Sequence, residues 1–411
     1  MKIKSFFEYQ NFSLISPKDE NQRDIKLYDF QNVSFSGFSN YYPDVLLKQN
    51  NENNLILPLK EMTMSLNKKS YYEENGMEFN FIDNSKNLIK EPVYFFIYNT
   101  ENYYHFIYDT LPYLYCYLKM NKVKLLMNFN QGKNKLLPFV KETLDLLEIK
   151  DIILHEEGNV YEKLFLQSSL THNGLSNNPP RKEIFEIYDL LIKNALDENI
   201  KTIPKIYVSR RTWINGKNEN IGTNYTLRRK LMNEDELVEN LKEEGFEEVF
   251  GENFSMKEKI NIFNKADIVI GAIGGTITNC VFSSKKTKII TLVSPDFLNI
   301  NFRMKYLFNE NCILFEDTKV YLEKGEIPMN VRIESNNGLI GEICDYENGK
   351  YKIKLAKNLI GFNEGEEYET IMLNKNEFKT LDNGLNSPWE VNINLLLSIL
   401  NQNKDVNNTH F

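Results

Sequence analysis

Between residues 205 and 293, four short apolar runs alternate with segments of helix length, and this rhythm restricts the chain more than any other feature. The runs are KIYVS (205–209), EEVF (247–250), ADIVIG (266–271) and KIITLV (288–293). ADIVIG is apolar at almost every position, as burial on both faces of a parallel sheet demands; a half-exposed strand would alternate. Asn233 with Glu236, and Ser255 with Glu258, have the spacing of reciprocal capping boxes, and Gly245 is placed to stop the first helix. The pattern predicts a doubly wound sheet, and such sheets bind ligands beyond the carboxyl ends of their strands.

A similar alternation precedes it. VYFFIY (93–98) and VKLLM (123–127) read as buried strands, with helices expected over 102–120 and 135–147, followed by strand candidates DIIL and KLFLQ and a helix over 182–196. The first ninety residues carry short extended runs, NLILP (54–58) and EFNFI (78–82), between Asn, Lys and Gly clusters, which predicts a β-rich lead-in. Residues 331–381 break the rhythm with VRIES, GLIGEICDY, KYKIKLA and ETIMLN. The Asn348-Gly349 pair among them is a strong hairpin signal, so a small β-barrel or meander is expected before a final helix over 391–400.

Length and charge bound the function. At roughly 100–200 residues per domain, 411 residues hold two or three domains. Lys and Arg number 49 against 57 Asp and Glu, a net charge of −8, which argues against a protein whose main task is coating nucleic acid. Cys116, Cys280, Cys312 and Cys344 lie far apart with no CxxC pair, so neither a zinc cage nor a disulfide framework is indicated, and a reducing compartment fits. No stretch approaches 18 apolar residues, and the chain reads as cytoplasmic and not membrane-spanning.

Three constellations could carry chemistry. In ENYYHFIYDTLP (101–112), directly after a buried strand, His105 and Asp109 would share one helix face. An imidazole titrates near neutrality and a carboxylate can hold its tautomer, so the pair suits proton abstraction; a histidine that only caps local structure would look the same. Of the other histidines, His410 lies in the tail, and His155 and His172 have no comparable partner on a predicted helix, although Glu156 and Glu157 follow His155. The second constellation is GAIGGTITN (271–279), where Gly274 and Gly275 would let backbone approach a phosphate at a helix start. It lacks the G-x-G-x-x-G spacing of a dinucleotide site, and a tight strand-to-helix turn would want the same glycines.

The third is basic. Arg210 and Arg211 end the KIYVS strand, and Arg228 and Arg229 precede the Asn233 helix. Guanidinium forks match phosphate oxygens, and a strand-end loop of the same sheet would bring them to the rim used by the glycine turn; a solvated charged loop is the plainer account. Helix capping and the helix dipole suffice to explain Asn233 and Glu234.

In order and spacing, NYYHFIYDTLP, YVSRR, RRKLMNEDELVENLKEEGFEEV, FSMKEKINIFNKADIVIGAIGGTITNCVF and the later WEVNINLLL resemble glycosyltransferase family 61. That family includes bacterial capsular-polysaccharide enzymes and eukaryotic O-linked N-acetylglucosamine and xylose transferases. The resemblance implies an α/β, GT-B-like fold in which two Rossmann-like domains face a cleft, with inversion at the anomeric carbon and no obligatory metal. The expected division is a β-rich lead-in at 1–90, an acceptor domain at 91–200, a nucleotide-sugar donor domain at 201–330, a small β-barrel-like insertion at 331–382, and a helix and tail at 383–411.

Carried over residue by residue, the resemblance makes His105 and Asp109 catalytic. It makes Asn102, Arg210, Arg211, Arg229, Gly274, Gly275, Thr276 and Asn279 substrate-binding. One departure is plain: the family's usual G-x-H-G-x-x-x-T-N pattern has a histidine where this chain has Ile273. The implied partners are a nucleotide-sugar donor, expected to be a UDP-sugar, and a polysaccharide or glycolipid acceptor; no nucleic acid and no further cofactor are expected. A homo-oligomer and a peripheral contact with the inner membrane are compatible with this. The rival reading, from another class, is a non-catalytic sugar-binding or scaffolding subunit of a capsule assembly complex that kept the fold after losing donor contacts. A nicotinamide dehydrogenase is suggested only by the glycine turn, whose spacing is wrong for it.

Overall fold

Strands apolar at every position can be covered on both faces only when helices cross over between parallel neighbours. The computed structural model describes residues 3–5, 25, 27–36, 46–49, 55–57, 87–97, 100, 102–127, 136–156, 158–171, 180–211, 229–297, 311–356 and 368–407. The expected strand at 78–82, Arg228 and His172 lie outside these residues. The chain divides into two units, Met1–Ile200 with Ser255–Asn261, and Lys201–Phe254 with Ile262–Phe411.

The first unit holds one mixed sheet. Its strands are β1 (Ile3–Ser5), β2 (Leu27–Ser36), β3 (Leu46–Gln49), β4 (Leu55–Leu57), β5 (Asn87–Ile89), β6 (Val93–Phe95), β7 (Lys124–Met127), β8 (Ile152–Leu154) and β9 (Asn159–Gln167). They run in the order β1-β4-β3-β2-β9-β6-β7-β8, with β5 also on β9. β6, β7 and β8 are parallel to one another and β9 is parallel to β6, whereas β2 joins β9 antiparallel, so the lead-in strands continue the α/β sheet. All three side chains of β6 are buried.

Short helices α1 (Tyr103–His105) and α2 (Leu114–Tyr117) connect β6 to β7, and α3 (Pro138–Leu146) connects β7 to β8. Pro138 sits in the first turn of α3, where its missing N–H costs no bond. α4 (Ile184–Ala195) buries Ile184, Ile187, Tyr188, Leu191 and Ala195, the stripe of an amphipathic helix. Each of the three Ile and Leu side chains, fully buried, contributes about 1.5–3 kcal/mol.

In the second unit, β10 (Lys205–Val208), β11 (Glu247–Val249), β12 (Ile268–Ala272), β13 (Lys288–Leu292) and β14 (Cys312–Phe315) form an all-parallel sheet. Their order is β11-β10-β12-β13-β14, which in sequence terms is 2-1-3-4-5. That is a doubly wound order, and the chain reverses direction across the sheet between β10 and β12, the topological switch point. Helices α5 (Glu234–Glu243) and α6 (Met256–Lys265) are the expected crossovers.

Ser255 and Glu258 form the anticipated capping box: Glu258 Oε2 accepts the Ser255 N–H at 2.8 Å and Ser255 Oγ accepts the Glu258 N–H at 3.3 Å. Asn233 does not. Its side chain makes no cap bond and instead pairs with the backbone of Val391, donating to the carbonyl at 2.8 Å and accepting the N–H at 3.1 Å.

The expected small barrel is an open sheet among the described residues. β16 (Arg332–Ser335), β17 (Ile340–Glu347), β18 (Lys350–Leu355), β19 (Thr370–Leu373) and β20 (Phe378–Thr380) run antiparallel in the order β19-β18-β17-β16-β20, with no pairing between β19 and β20. Asn348 and Gly349 both take positive φ, 52° and 78°, which turns β17 into β18 as a tight hairpin. One face closes over Val331, Ile333, Ile343, Tyr351, Ile353 and Phe378.

Outside this sheet, β15 (Thr318–Val320) pairs antiparallel with β21 (Trp389–Val391), and α7 (Ile393–Asn407) follows. Trp389, Val391, Leu396 and Leu400 share a core with Tyr207, Ile270 and Ile290 of the parallel sheet. No helix among the described residues is long and apolar enough to cross a membrane. All four cysteines are free.

Candidate functional site

The carboxyl end of β6 runs into Asn102, which caps α1 by accepting the His105 N–H on Oδ1 at 3.2 Å. From Phe106 to Thr110 the helix widens into a π turn, and from Leu111 to Tyr113 it tightens into a 3-10 turn. Such irregular turns lose regular helical bonds and are frequent at functional sites. Side chains of the same unit take up the displaced backbone groups. The Tyr188 hydroxyl donates to the Ile107 carbonyl, the Tyr94 hydroxyl donates to that of Tyr113, and Gln167 both donates to the Pro112 carbonyl and accepts the Cys116 N–H.

This scaffold holds His105 against Asp109. Nδ1 lies 2.6 Å from Asp109 Oδ2, and the Thr171 hydroxyl donates to Oδ1 at 3.4 Å. Both side chains are partly open, 24% and 20% exposed. A carboxylate only accepts, so Nδ1 carries a proton, and in the neutral imidazole the lone pair is then on Nε2. His155 contrasts with it: it is buried against the Tyr161 hydroxyl at 2.8 Å, and burial drives its imidazole down to about 4.

In the second unit the arginines that end β10 part company. Arg210 reaches toward β12, and its Nη1 donates to the Ile273 carbonyl at 3.3 Å. Burial lowers its basicity, and the nearby Glu234 carboxylate and Tyr207 counter that. Arg211 turns toward β11, where Nε at 3.0 Å and Nη2 at 2.7 Å grip Glu248 and Nη1 meets Asp235 at 2.5 Å. Arg229 adopts φ +54° and stacks its guanidinium 4.5 Å above the Phe297 ring, in the loop after β13. Trp389 Nε1 donates to the Arg229 carbonyl at 2.8 Å, and the Arg229 N–H donates to Asn386.

The glycine turn follows β12. Gly275 has ordinary φ −56° and ψ −57°, and a Cβ there would meet nothing within 4 Å. At Gly274 a Cβ would sit 3.5 Å from Arg210 Nη1, an ordinary contact. Neither glycine is therefore demanded by backbone conformation or by packing within the chain. Two others are: a Cβ at Gly271 would lie 2.8 Å from Val208 Cβ, and one at Gly251 would lie 2.4 Å from Thr276 Cγ2. The helix expected after the turn is a 3-10 helix, Thr276–Phe282. An anion at this turn would thus rely on Arg210 and bare backbone N–H groups, without the dipole of a long helix behind it. Asn279 is fully buried and donates to the Thr276 carbonyl, while Thr278 donates to that of Gly274, so both brace the turn from inside.

Residues 103–290 match the model of the family Glycosyltransferase 61. The chain carries a glycosyltransferase domain. No curated protein matches the chain. The matched stretch includes His105, Asp109, the arginines of the β10 end and the glycine turn. Asn102 lies just before it and Trp389 well beyond it.

Sequence reasoning overlooked Gln167, Tyr188 and Thr171, which hold the His105 segment, because their partners lie 51 to 81 residues away and leave no local pattern. It also gave Glu234 only a helix-end role. Among the described residues no group of three or more His, Cys, Asp or Glu side chains is placed to hold a metal ion, and Arg210 brings a guanidinium to the turn.

Proposed function

We propose that this glycosyltransferase is inverting and metal-independent, and moves a sugar from a nucleotide-diphosphate donor, a UDP-sugar, to a hydroxyl of a surface or capsular polysaccharide or glycolipid. His105 Nε2 takes the acceptor proton as the acceptor oxygen bonds to the anomeric carbon. The bond from that carbon to the diphosphate breaks, and the leaving group keeps the electron pair. Asp109 holds the imidazole tautomer and stabilises the imidazolium that forms, in keeping with the 2.6 Å contact. Arg210 and the backbone of Gly274, Gly275 and Thr276 meet the diphosphate charge, which is the electrostatic part of the rate enhancement. Arg229 contributes a second guanidinium, and Arg211, anchored on Glu248, keeps the β10 end in place.

The observation that carries this reading is Arg210 bridging the switch point to the carbonyl beside Gly274. Open α/β sheets recruit ligands there. The proposal includes the GT-B division of labour, with acceptor recognition by residues 91–200 and donor recognition by residues 201–330, and a cytoplasmic enzyme working at the membrane's inner face.

Titration calorimetry with UDP, GDP and CDP, followed by a screen of the corresponding nucleotide sugars for turnover, tests it. UDP binding that is lost in Arg210→Ala supports the reading. No nucleotide binding at millimolar concentration would overturn it in favour of the scaffolding subunit.

A further inference from the structure

Glu234 is the first residue of α5, and only 2% of it is exposed. The helix dipole favours an acid at this place, yet it gives no reason to bury one, and an unexposed carboxylate is costly unless its oxygens are satisfied. The two oxygens are treated unequally. Oε1 accepts the Arg210 N–H at 2.8 Å, the Tyr207 hydroxyl at 2.8 Å and the Ser209 hydroxyl at 3.4 Å, while Oε2 has no hydrogen-bond partner among the described residues. All three donors lie at the end of β10. A single oxygen therefore gathers the chain where it leaves the sheet.

The gripped peptide is the one from which the Arg210 side chain departs. Arg210 turns toward Ile273 and Arg211 toward Glu248, so neighbouring guanidinium groups leave β10 on opposite sides. Rotating that peptide would carry a long side chain away from Gly274. Burial raises the Glu234 carboxyl above its usual range, and the Arg210 N–H is the first of the groups that resist the shift.

We propose that Glu234 is a positioning residue for Arg210: through Oε1 it sets the direction in which the guanidinium meets the donor's diphosphate. The inference rests on the reading of Arg210 as a diphosphate-binding group. It is hydrogen-bond geometry that matters here, and not the carboxylate's charge.

Charge and geometry separate in two variants of the full chain. Glu234→Gln keeps an acceptor oxygen at the right reach and removes the charge. Glu234→Asp keeps the charge and withdraws it by one methylene. With UDP as probe in calorimetry, Glu234→Gln should bind within about twofold of the parent, and Glu234→Asp should raise Kd about tenfold or more. Arg210→Ala should raise Kd about 10- to 100-fold, and adding Glu234→Asp to it should raise Kd no further.

Asp binding like the parent, Gln losing as much as Asp, or additive losses in the double variant would each overturn the proposal. If the Asp variant does not fold, Glu234→Met fills the same volume without an acceptor and carries the same expectation. Arg210→Ala binding UDP like the parent would overturn the diphosphate reading itself, an outcome distinct from any failure at Glu234.

Discussion

Arg210 Nη1 donates to the carbonyl oxygen of Ile273 across 3.3 Å, so the side chain that ends one strand is moored to the turn that ends its neighbour. The register places Val208 beside Gly271, two residues before these partners on each strand, which explains why the link is short. Ile273 is also the position at which the sequence departs from the pattern it otherwise resembles. Here its side chain is buried, and only its backbone takes part.

Arg210→Lys tests what the fork contributes. A lysine keeps the charge but cannot hold a backbone carbonyl and a phosphate in one plane. Charge-assisted hydrogen bonds contribute about 1.5–3 kcal/mol, so UDP affinity should drop about tenfold in Arg210→Lys and further in Arg210→Ala. Calorimetry reads both.

His105→Ala should lower kcat by about 10² to 10⁴ while leaving UDP affinity unchanged, since a general base acts on the acceptor. Asp109→Asn removes the negative charge and adds an amide donor, so the Nδ1–H tautomer is no longer enforced, and it should lower kcat by a smaller factor within that range. Turnover near the parent level in His105→Ala, with loss confined to Asp109→Asn, would move the base to Asp109.

β12 was legible because burial on both faces leaves an apolar run with no polar position, whereas β11, with Glu247 exposed, was legible only from its place in the alternation of strands and helices. His105 and Asp109 were legible because four-residue spacing puts side chains together in an α turn and in the wider π turn alike. Other features had no local trace. Asn233 looked like a helix cap, but its amide is spent on Val391, 158 residues on. The 3-10 helix at 276–282 shares its small and apolar residues with an α-helix. Whether the β segment at 331–381 closed into a barrel depended on pairing between its end strands, which alternation alone does not encode.

Gly275 and Gly251 should respond in opposite ways to alanine. At Gly275 the conformation and the space both suit a Cβ, so Gly275→Ala should raise stability by about 0.4–1 kcal/mol through the unfolded chain. It should nonetheless weaken UDP binding if phosphate lies against that backbone. At Gly251 the added methyl collides with Thr276, costing about 1–3 kcal/mol, and Thr276→Ala should restore much of the loss. Thermal melts and calorimetry on the four proteins decide both claims.

His155 makes stability depend on pH. Its folded value of about 4 lies below the ordinary 6.5, so the unfolded chain binds the extra proton first. The contribution is intact above pH 6.5 and is lost as pH falls toward 4, about 3 kcal/mol in all. In His155→Gln, denaturant midpoints between pH 7 and 4 should fall less steeply than in the parent. Equal slopes would mean that the buried imidazole is already charged or solvated.

The family match stops at residue 290, yet the fold does not. Trp389, Val391, Leu396 and Leu400 fill the core under β10, β12 and β13, and truncating a buried Trp to Ala costs about 3–5 kcal/mol. A chain ending at residue 330 should therefore fail to fold. The intervening sheet is a different matter, because it closes over its own core and because Val320 pairs directly with Trp389. Tyr321 donates its N–H to the Pro388 carbonyl, so the two ends of the insertion stand side by side. Replacing residues 322–385 by a loop of about five residues keeps Asn386 on Arg229 and should leave a folded protein with parental UDP affinity. If turnover on short acceptors survives this excision while that on long acceptors falls, the sheet serves the acceptor chain; if both survive, it serves neither substrate.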